Sequence, residues 1–349
     1  MRAFSDRLSP WYAKPLFGLL TDGVSLWGYR VKSYLLLCYA LAAVLLLGAG
    51  LTGISSFTGL LAIALLVSIS IAFSDVLADK WMVVRGKAAG NTALLQATQW
   101  TAAGLGGASA YYLGGILAQD GQLSLAIGLS AIAPLLGLVA VPLWLREERD
   151  HQPARNLRAS LGALWRAAQT RRFLGVAIFL VLLEICPTPP AIFYQRDTLG
   201  FETDFIGALA AVQFVGMGGG ALLFGGWARH LRRGWLLNVI VACSALATLS
   251  LAAMTDARSA MLIYFFVGFT DIIARLGVLE LSVQVCPLKA EGTTYALLIS
   301  LANLAMLLGF VGGGWLYDLG LPFPQLAILG AGLTALCWLA LPALRLKQI

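Results

Sequence analysis

Ten long apolar runs follow one another along the chain, at 33–53, 57–83, 91–118, 122–145, 173–194, 205–228, 235–254, 259–285, 293–317 and 322–344. Nothing else in the sequence limits the fold as strongly. A bilayer core takes about 20 apolar residues to cross as a helix, with some latitude for tilt. Within lipid every backbone N–H and C=O needs a protein partner, so serial runs of this length predict helices. The short alternating segments of a membrane barrel are absent. Of the 349 residues, 59% are hydrophobic and 12% charged, more apolar surface than a soluble domain could hide. The expected fold class is therefore all-α, a polytopic membrane protein.

A shorter apolar segment precedes these runs. It extends from Ser9 to Thr21, about half of a full span, and leads into the turn GLLTDGVSLWGYRVK. The expected total is eleven helices, the first one short.

Basic residues set the orientation. One set of alternate loops, with the C-terminus, holds seventeen Lys and Arg, among them Arg30, Lys32, Arg85, Arg146, Arg149, Arg155, Arg158, Arg229, Arg232, Lys289, Arg345 and Lys347. The other set holds Arg196 and Arg258. The first set and the C-terminus are expected on the cytoplasmic side of a plasma (inner) membrane. The net charge of +7 follows from this bias and calls for no nucleic-acid partner. Only the start is at odds with the rule, because Arg2, Arg7 and Lys14 would lie on the outer side.

Enzyme chemistry finds no support. Cys38, Cys186, Cys243, Cys286 and Cys337 lie in or beside apolar runs, without CxxC or metal-ligand spacing. They read as buried free thiols. His151 and His230 fall in arginine-rich loops. No nucleophile elbow, phosphate loop or zinc-protease motif is present. Neither a cofactor nor a metal is expected.

The chain repeats itself. FSDVLAD at 73–79 aligns with FTDIIAR at 269–275, pairing Asp75 with Asp271 and Asp79 with Arg275. TALL after Asn91 matches YALL at 295–298, and LGGIL at 113–117 matches GGGWL at 312–316. Between the halves lies a polar stretch of about 147–171. The expected domains are an incomplete five-helix bundle (1–146), a cytoplasmic linker (147–171) and a six-helix bundle (172–349). Parallel repeats of this kind mark the major facilitator architecture. Its first helix and part of its second would be missing here, so the start reads as truncated. Upstream DNA is expected to encode about one and a half further spans.

The first loop fits that reading. Gly18, Asp22, Arg30 and Lys32 match the cytoplasmic signature of the major facilitators, G-x-x-x-D followed by basic residues. Glycine permits close helix contact, and the Asp can lock against basic groups or a helix end. In the second half Arg229 replaces the Asp.

A narrower resemblance rests on four stretches: KPLFGLLTDGVSLWGYRVKSYL (14–35), SDVLADKWMVVRGKAAGNTALLQATQW (74–100), DTLGFETDFIGAL (197–209) and CPLKAEGTTYALLISLANL (286–304). Together they resemble the folate–biopterin transporter family. The resemblance implies a secondary carrier of pterins, folates or related organic anions, working by alternating access and coupled to protons or another ion. Within the superfamily a carrier of another organic anion or a drug is the alternative. Outside it stands a truncated membrane protein that transports nothing.

Intramembrane charges mark the candidate site, since such groups are costly unless they face a cavity or one another. Asp75 and Asp79 share one helix face, as do Asp271 and Arg275. Asp75 and Glu184 are candidates for ring binding or proton coupling. Arg275 is the candidate clamp for a substrate carboxylate. Asp79 and Arg275, equivalent in the repeat, would face one another in the inner half. CPTPP at 186–190 must break the helix that carries Glu184. Glycine runs at 104–110, 216–226 and 309–314 read as close-packing surfaces.

Overall fold

The computed structural model describes residues 10–53, 56–149, 162, 164–166, 168–187, 190–227, 233–286 and 291–344. Arg2, Arg7, His151, Arg155, Arg158, Arg229, His230, Arg232, Lys289, Arg345 and Lys347 lie outside them. The regular elements of the described chain are helices, the α-helices being α1 Lys14–Gly23, α2 Lys32–Thr52, α3 Phe57–Ala89, α4 Thr92–Gln119, α5 Leu123–Leu129, α6 Ile132–Trp144, α7 Arg171–Glu184, α8 Ala191–Phe193, α9 Thr203–Trp227, α10 Arg233–Ser250, α11 Ala257–Val285, α12 Glu291–Asp318 and α13 Phe323–Leu344.

Eight helical segments among the described residues are long and apolar enough to cross a membrane: α2, α3, α5 with α6, and α9 to α13. Two of the ten expected spans differ. Helix α4 has the length, at 28 residues, but Thr, Gln, Gly and Tyr dilute its apolar character. Helix α7 stops at Glu184 after 14 residues, because the prolines of CPTPP cannot continue the backbone ladder. Thr188 and Pro189 of that motif are outside the described residues. Helix α1 has ten residues behind a 3₁₀ turn, Pro10–Ala13. At 1.5 Å per residue α1 is about 15 Å long, half of a span.

The chain forms two compact units. One comprises residues 1–85, 117–169 and 286–300. Within it α2 packs on α5 and α6. A side chain at Gly50 would strike the backbone of Gly128, and one at Gly137 would strike the ring of Tyr39. Val31, Tyr34, Leu35, Cys38, Leu77 and Val141 form the core there. On the same α2, Val44 is 69% exposed while Ala42 and Ala43 are under 5%. An exposed aliphatic face of this kind suits lipid, which exacts no hydrophobic penalty.

The other unit comprises residues 86–116, 170–285 and 301–349. Helix α11 packs against α9 and α10, and α13 against α10 and α7. Glycine makes the α9–α11 approach possible. A Cβ on Gly216, Gly220 or Gly268 would strike the carbonyls of Phe265, Phe269 and Gln213 respectively. Gly104 of α4 meets Gly218 in the same way. The glycine runs thus pack as their composition suggested. Tyr194 stacks on Phe323 at 4.2 Å, and Gln195 donates to the hydroxyl of Tyr264 at 2.6 Å.

Candidate functional site

The signature residues occupy the first unit. Helix α1 ends at Gly23, and a two-residue turn at Trp27 and Gly28 reverses the chain, closed by reciprocal bonds between Leu26 and Tyr29 of 2.9 and 3.0 Å. Trp27 has φ +53° and Gly28 φ +81°. This left-handed pair suits glycine better than tryptophan.

Gly18 faces the start of α12, where a Cβ would lie 2.9 Å from the carbonyl of Gly292 and from Cα of Thr293. Four residues on, Asp22 is buried. Its Oδ2 accepts from the backbone N–H of Thr293 at 2.9 Å and from Thr293 Oγ1 at 2.7 Å. Its Oδ1 lies 2.9 Å from Nζ of Lys80. The carboxylate therefore caps the first turn of α12, where unpaired N–H groups favour an anion. Lys80 also donates to the carbonyl of Thr21 at 2.8 Å. Lys80, next to Asp79 in sequence, thus serves Asp22 in the fold. Arg30 Nη1 donates to the carbonyl of Asp22 at 2.6 Å. Lys32 Nζ donates at 3.4 Å to the carbonyls of Pro142 and Leu145.

Glu147 completes this layer and was not singled out in the sequence. Its carboxylate accepts from the backbone N–H groups of Arg30 (2.9 Å), Val31 (3.1 Å) and Lys32 (2.7 Å). It is the cap of α2, supplied from more than a hundred residues away. No local capping signal could have revealed it.

Asp75 of α3 is half-buried, with its Oδ2 2.5 Å from the ammonium of buried Lys14. Phe17 and Phe73 stack nearby at 4.7 Å. Lys14 looked like a topological misfit in sequence; the ion pair supplies a physical reason for its position. Asp79 is half-buried one turn further along α3.

The second unit holds the other candidates. Glu184 is half-buried at the last residue of α7. The carbonyls of Glu184 and Cys186, at the helix break, lie where only Gly309 of α12 lets that helix approach. The charges of Arg275 and Asp271, both on α11, act on Glu184. Arg275 is half-buried and Asp271 exposed. The Arg275 guanidinium sits over the ring of Trp100 at 5.6 Å. A guanidinium in cation–π contact with an indole retains N–H donors for a carboxylate. Acid, base and aromatic face together can hold a flat, polar, anionic molecule. Among the described residues no group of His, Cys, Asp and Glu is placed to hold a metal ion.

Long apolar helices with a few charged groups inside them define the class: a multi-pass membrane protein of major facilitator fold. Two solved structures share that fold. The human organic anion transporter MFSD10 superposes with a TM-score of 0.68 at 19% identity, over 97% of this chain and 82% of the other. The fucose:proton symporter of E. coli gives 0.61 at 15% identity, over 96% and 92%. At sequence level, residues 7–331 match the BT1 family. The folate-biopterin transporter of Synechocystis is 32% identical over 92% of this chain and 69% of its own length. The probable folate-biopterin transporter 4 of Arabidopsis thaliana is 22% identical over 91% and 81%. The chain belongs to the BT1 family of folate–biopterin transporters, a family of membrane carriers and not of enzymes.

Proposed function

We propose that this chain is a secondary carrier of pterins or folates that works by alternating access. Its basic loops and C-terminus face the cytoplasm, in line with their charge. Its working halves are residues 1–146 and 172–349, joined by the linker. The observation that carries the substrate reading is the Arg275 guanidinium over the ring of Trp100, with the Glu184 carboxyl within reach of its charge. A pterin offers a flat ring for the indole and an amino and ring N–H edge that a carboxylate accepts as a fork. Folate adds carboxylates that match the guanidinium. Asp271, exposed beside Arg275, contributes polarity to the same site. Asp75 and Lys14, charged together, hold α1 to α3. Asp79, one turn on, belongs to the same polar face of α3.

The signature layer serves the conformational cycle. Asp22 and Thr293 belong to different sequence halves, so their contact has to break when the cytoplasmic side opens. Lys80, Arg30, Lys32 and Glu147 hold the Asp22 turn and the start of α2 in shape for that contact.

The test is uptake of labelled folate, biopterin and unrelated organic anions into proteoliposomes. Replacing Arg275 with Lys removes the planar fork and should raise KM for folate by about tenfold or more. Trp100→Leu should raise KM for biopterin and folate alike by about fivefold. Normal KM values in both variants would remove this pair from the substrate site. Uptake of unrelated anions in preference to both pteridines would overturn the substrate class.

A further inference from the structure

Thr92, Gln96 and Trp100 recur every fourth residue on α4 and so share one face. Two of them have partners on α11. Thr92 Oγ1 donates to Oε2 of Glu280 at 2.7 Å, and Trp100 lies under Arg275. As numbers rise on α4 they fall on α11, so the helices run antiparallel along this stripe. Gln96 falls between the two contacts. It is fully buried, at 0% exposure, and neither its Nε2 nor its Oε1 has a hydrogen-bond partner. Asn91 Oδ1, next to Thr92, and Gln284 Oε1, one turn beyond Glu280, are also buried without partners. Buried amides in a helical core are normally satisfied, so this group points to something that binds among them.

Glu280 stands out among the acids of the spans. Asp22 and Asp75 are matched by Lys80 and Lys14, and Arg275 acts on Glu184. The contact of Glu280 is a neutral hydroxyl. One turn to either side on α11 stand Leu276, Gly277, Val283 and Gln284, none of them charged. Helix α10 presents Ile240 and Leu236 at Gly277, and α9 meets α11 through Gly216 and Gly220 at Phe265 and Phe269. The other charged groups on the elements that join here are Arg275 and Asp271, nearer the N-terminus of α11, and Lys87, on the last turn of α3 before α4. Thr92 is the first residue of α4, so Glu280 also meets the partial positive charge of that helix end.

From this juxtaposition we infer that Glu280 carries the coupling cation, a proton, with Thr92 and Gln96 as its positioning residues. The inference rests on the carrier reading above. A proton added to the Glu280 carboxylate cancels its charge and turns one acceptor oxygen into a donor. The attraction to the α4 N-terminus goes, and the bond from Thr92 loses its charge assistance. Helices α4 and α11 then separate more easily, and the orphaned amide of Gln96 gains access to water. The proton arrives from one aqueous side and leaves to the other, with no other bond made or broken. Binding of a proton thus favours the opening movement that a loaded symporter has to make.

The experiment uses the purified full chain in proteoliposomes with labelled biopterin and folate. Two rates are read: exchange without a gradient, and accumulation driven by a pH gradient. Glu280→Gln should keep exchange and lose gradient-driven accumulation, while Glu280→Asp should recover part of it. Thr92→Val removes the hydroxyl that positions the carboxylate, so it should weaken gradient-driven accumulation more than exchange. Gln96→Leu should weaken accumulation more than exchange. Accumulation by Glu280→Gln at the wild-type level overturns the inference. So does a parallel loss of exchange and accumulation that Glu280→Asp leaves uncorrected, because that is packing damage. Wild-type accumulation driven by sodium in place of protons overturns the identity of the cation. Absence of wild-type exchange for both pteridines refutes the carrier reading itself, a result distinct from all of these.

Discussion

Removing the carboxylate of Asp22 should destabilise the protein far more than removing the carboxylate and its cation together. Asp22 is 3% exposed and Lys80 7% exposed. The acid makes two bonds to Thr293 and a 2.9 Å ion pair with Lys80. In Asp22→Ala the ammonium of Lys80 stays buried, with the carbonyl and hydroxyl of Thr21 as its contacts at 2.8 and 3.4 Å. Breaking a buried ion pair from one side costs about 3–5 kcal/mol, whereas an apolar replacement of both members is often close to neutral. The double variant Asp22→Ala with Lys80→Met still loses the bonds to Thr293, worth about 1 kcal/mol each. The double variant should therefore be more stable than Asp22→Ala alone by about 1–3 kcal/mol. Thermal unfolding in detergent can be followed with a thiol-reactive dye, since none of the five cysteines is in a disulfide. The expected order of melting temperature is wild type, then the double variant, then Asp22→Ala. A double variant less stable than Asp22→Ala, or strictly additive effects, would refute the reasoning. Lys80 would then be adequately held by Thr21 alone.

Two further outcomes follow from local geometry. Gly18→Val puts a Cβ 2.9 Å from the Gly292 carbonyl and Thr293 Cα, backbone atoms that cannot swing away. Overpacking of this kind costs about 1–3 kcal/mol, so the melting temperature should fall, while Gly48→Ala, with nothing within 4 Å of its added carbon, should leave it unchanged. At the start of α11, Oδ1 of Asp256 accepts from Ser259 N–H at 2.7 Å while Ser259 Oγ accepts from the N–H of Asp256. The backbone N–H of Ser259, and next its hydroxyl, hold the Asp256 carboxyl below the usual carboxylate range. A folded-state value below the unfolded one stabilises the protein above about pH 4, and that contribution fades as pH falls through the folded value. The stability gap between wild type and Asp256→Ala should accordingly be full at neutral pH and narrow in acid; a gap independent of pH would show that the cap works without its charge.

Much of the architecture was legible residue by residue because the bilayer restricts the possibilities. A run such as 33–53 has one stable form in lipid, and α2 at Lys32–Thr52 follows it closely. The helix break after Glu184 was legible because proline lacks an N–H wherever it occurs. Glycine runs at 104–110, 216–226 and 309–314 indicated close packing, since a missing side chain is a local property. None of these runs named its neighbour, which in the fold is Gly218 for Gly104, Phe265 for Gly216 and the α7 break for Gly309.

Pairing of the charges was decided by the tertiary structure. Asp79 and Lys80 are adjacent in sequence, yet Lys80 reaches back to Asp22, 58 positions away in numbering (80 − 22), because the helical turn sends adjacent side chains in different directions. Lys14 looked misplaced by the charge rule until α3 brought Asp75 to it. Glu147 read as the first residue of a linker, whereas it caps α2. Glu280 and Gln96 had no motif to mark them, and only the antiparallel register of α4 and α11 puts them on one stripe. By itself the sequence determined that this chain is a helical membrane protein, and which residues carry charge into the spans. Which charges meet was left to the fold, because such contacts depend on helix register and rotation, and hydropathy carries information about neither.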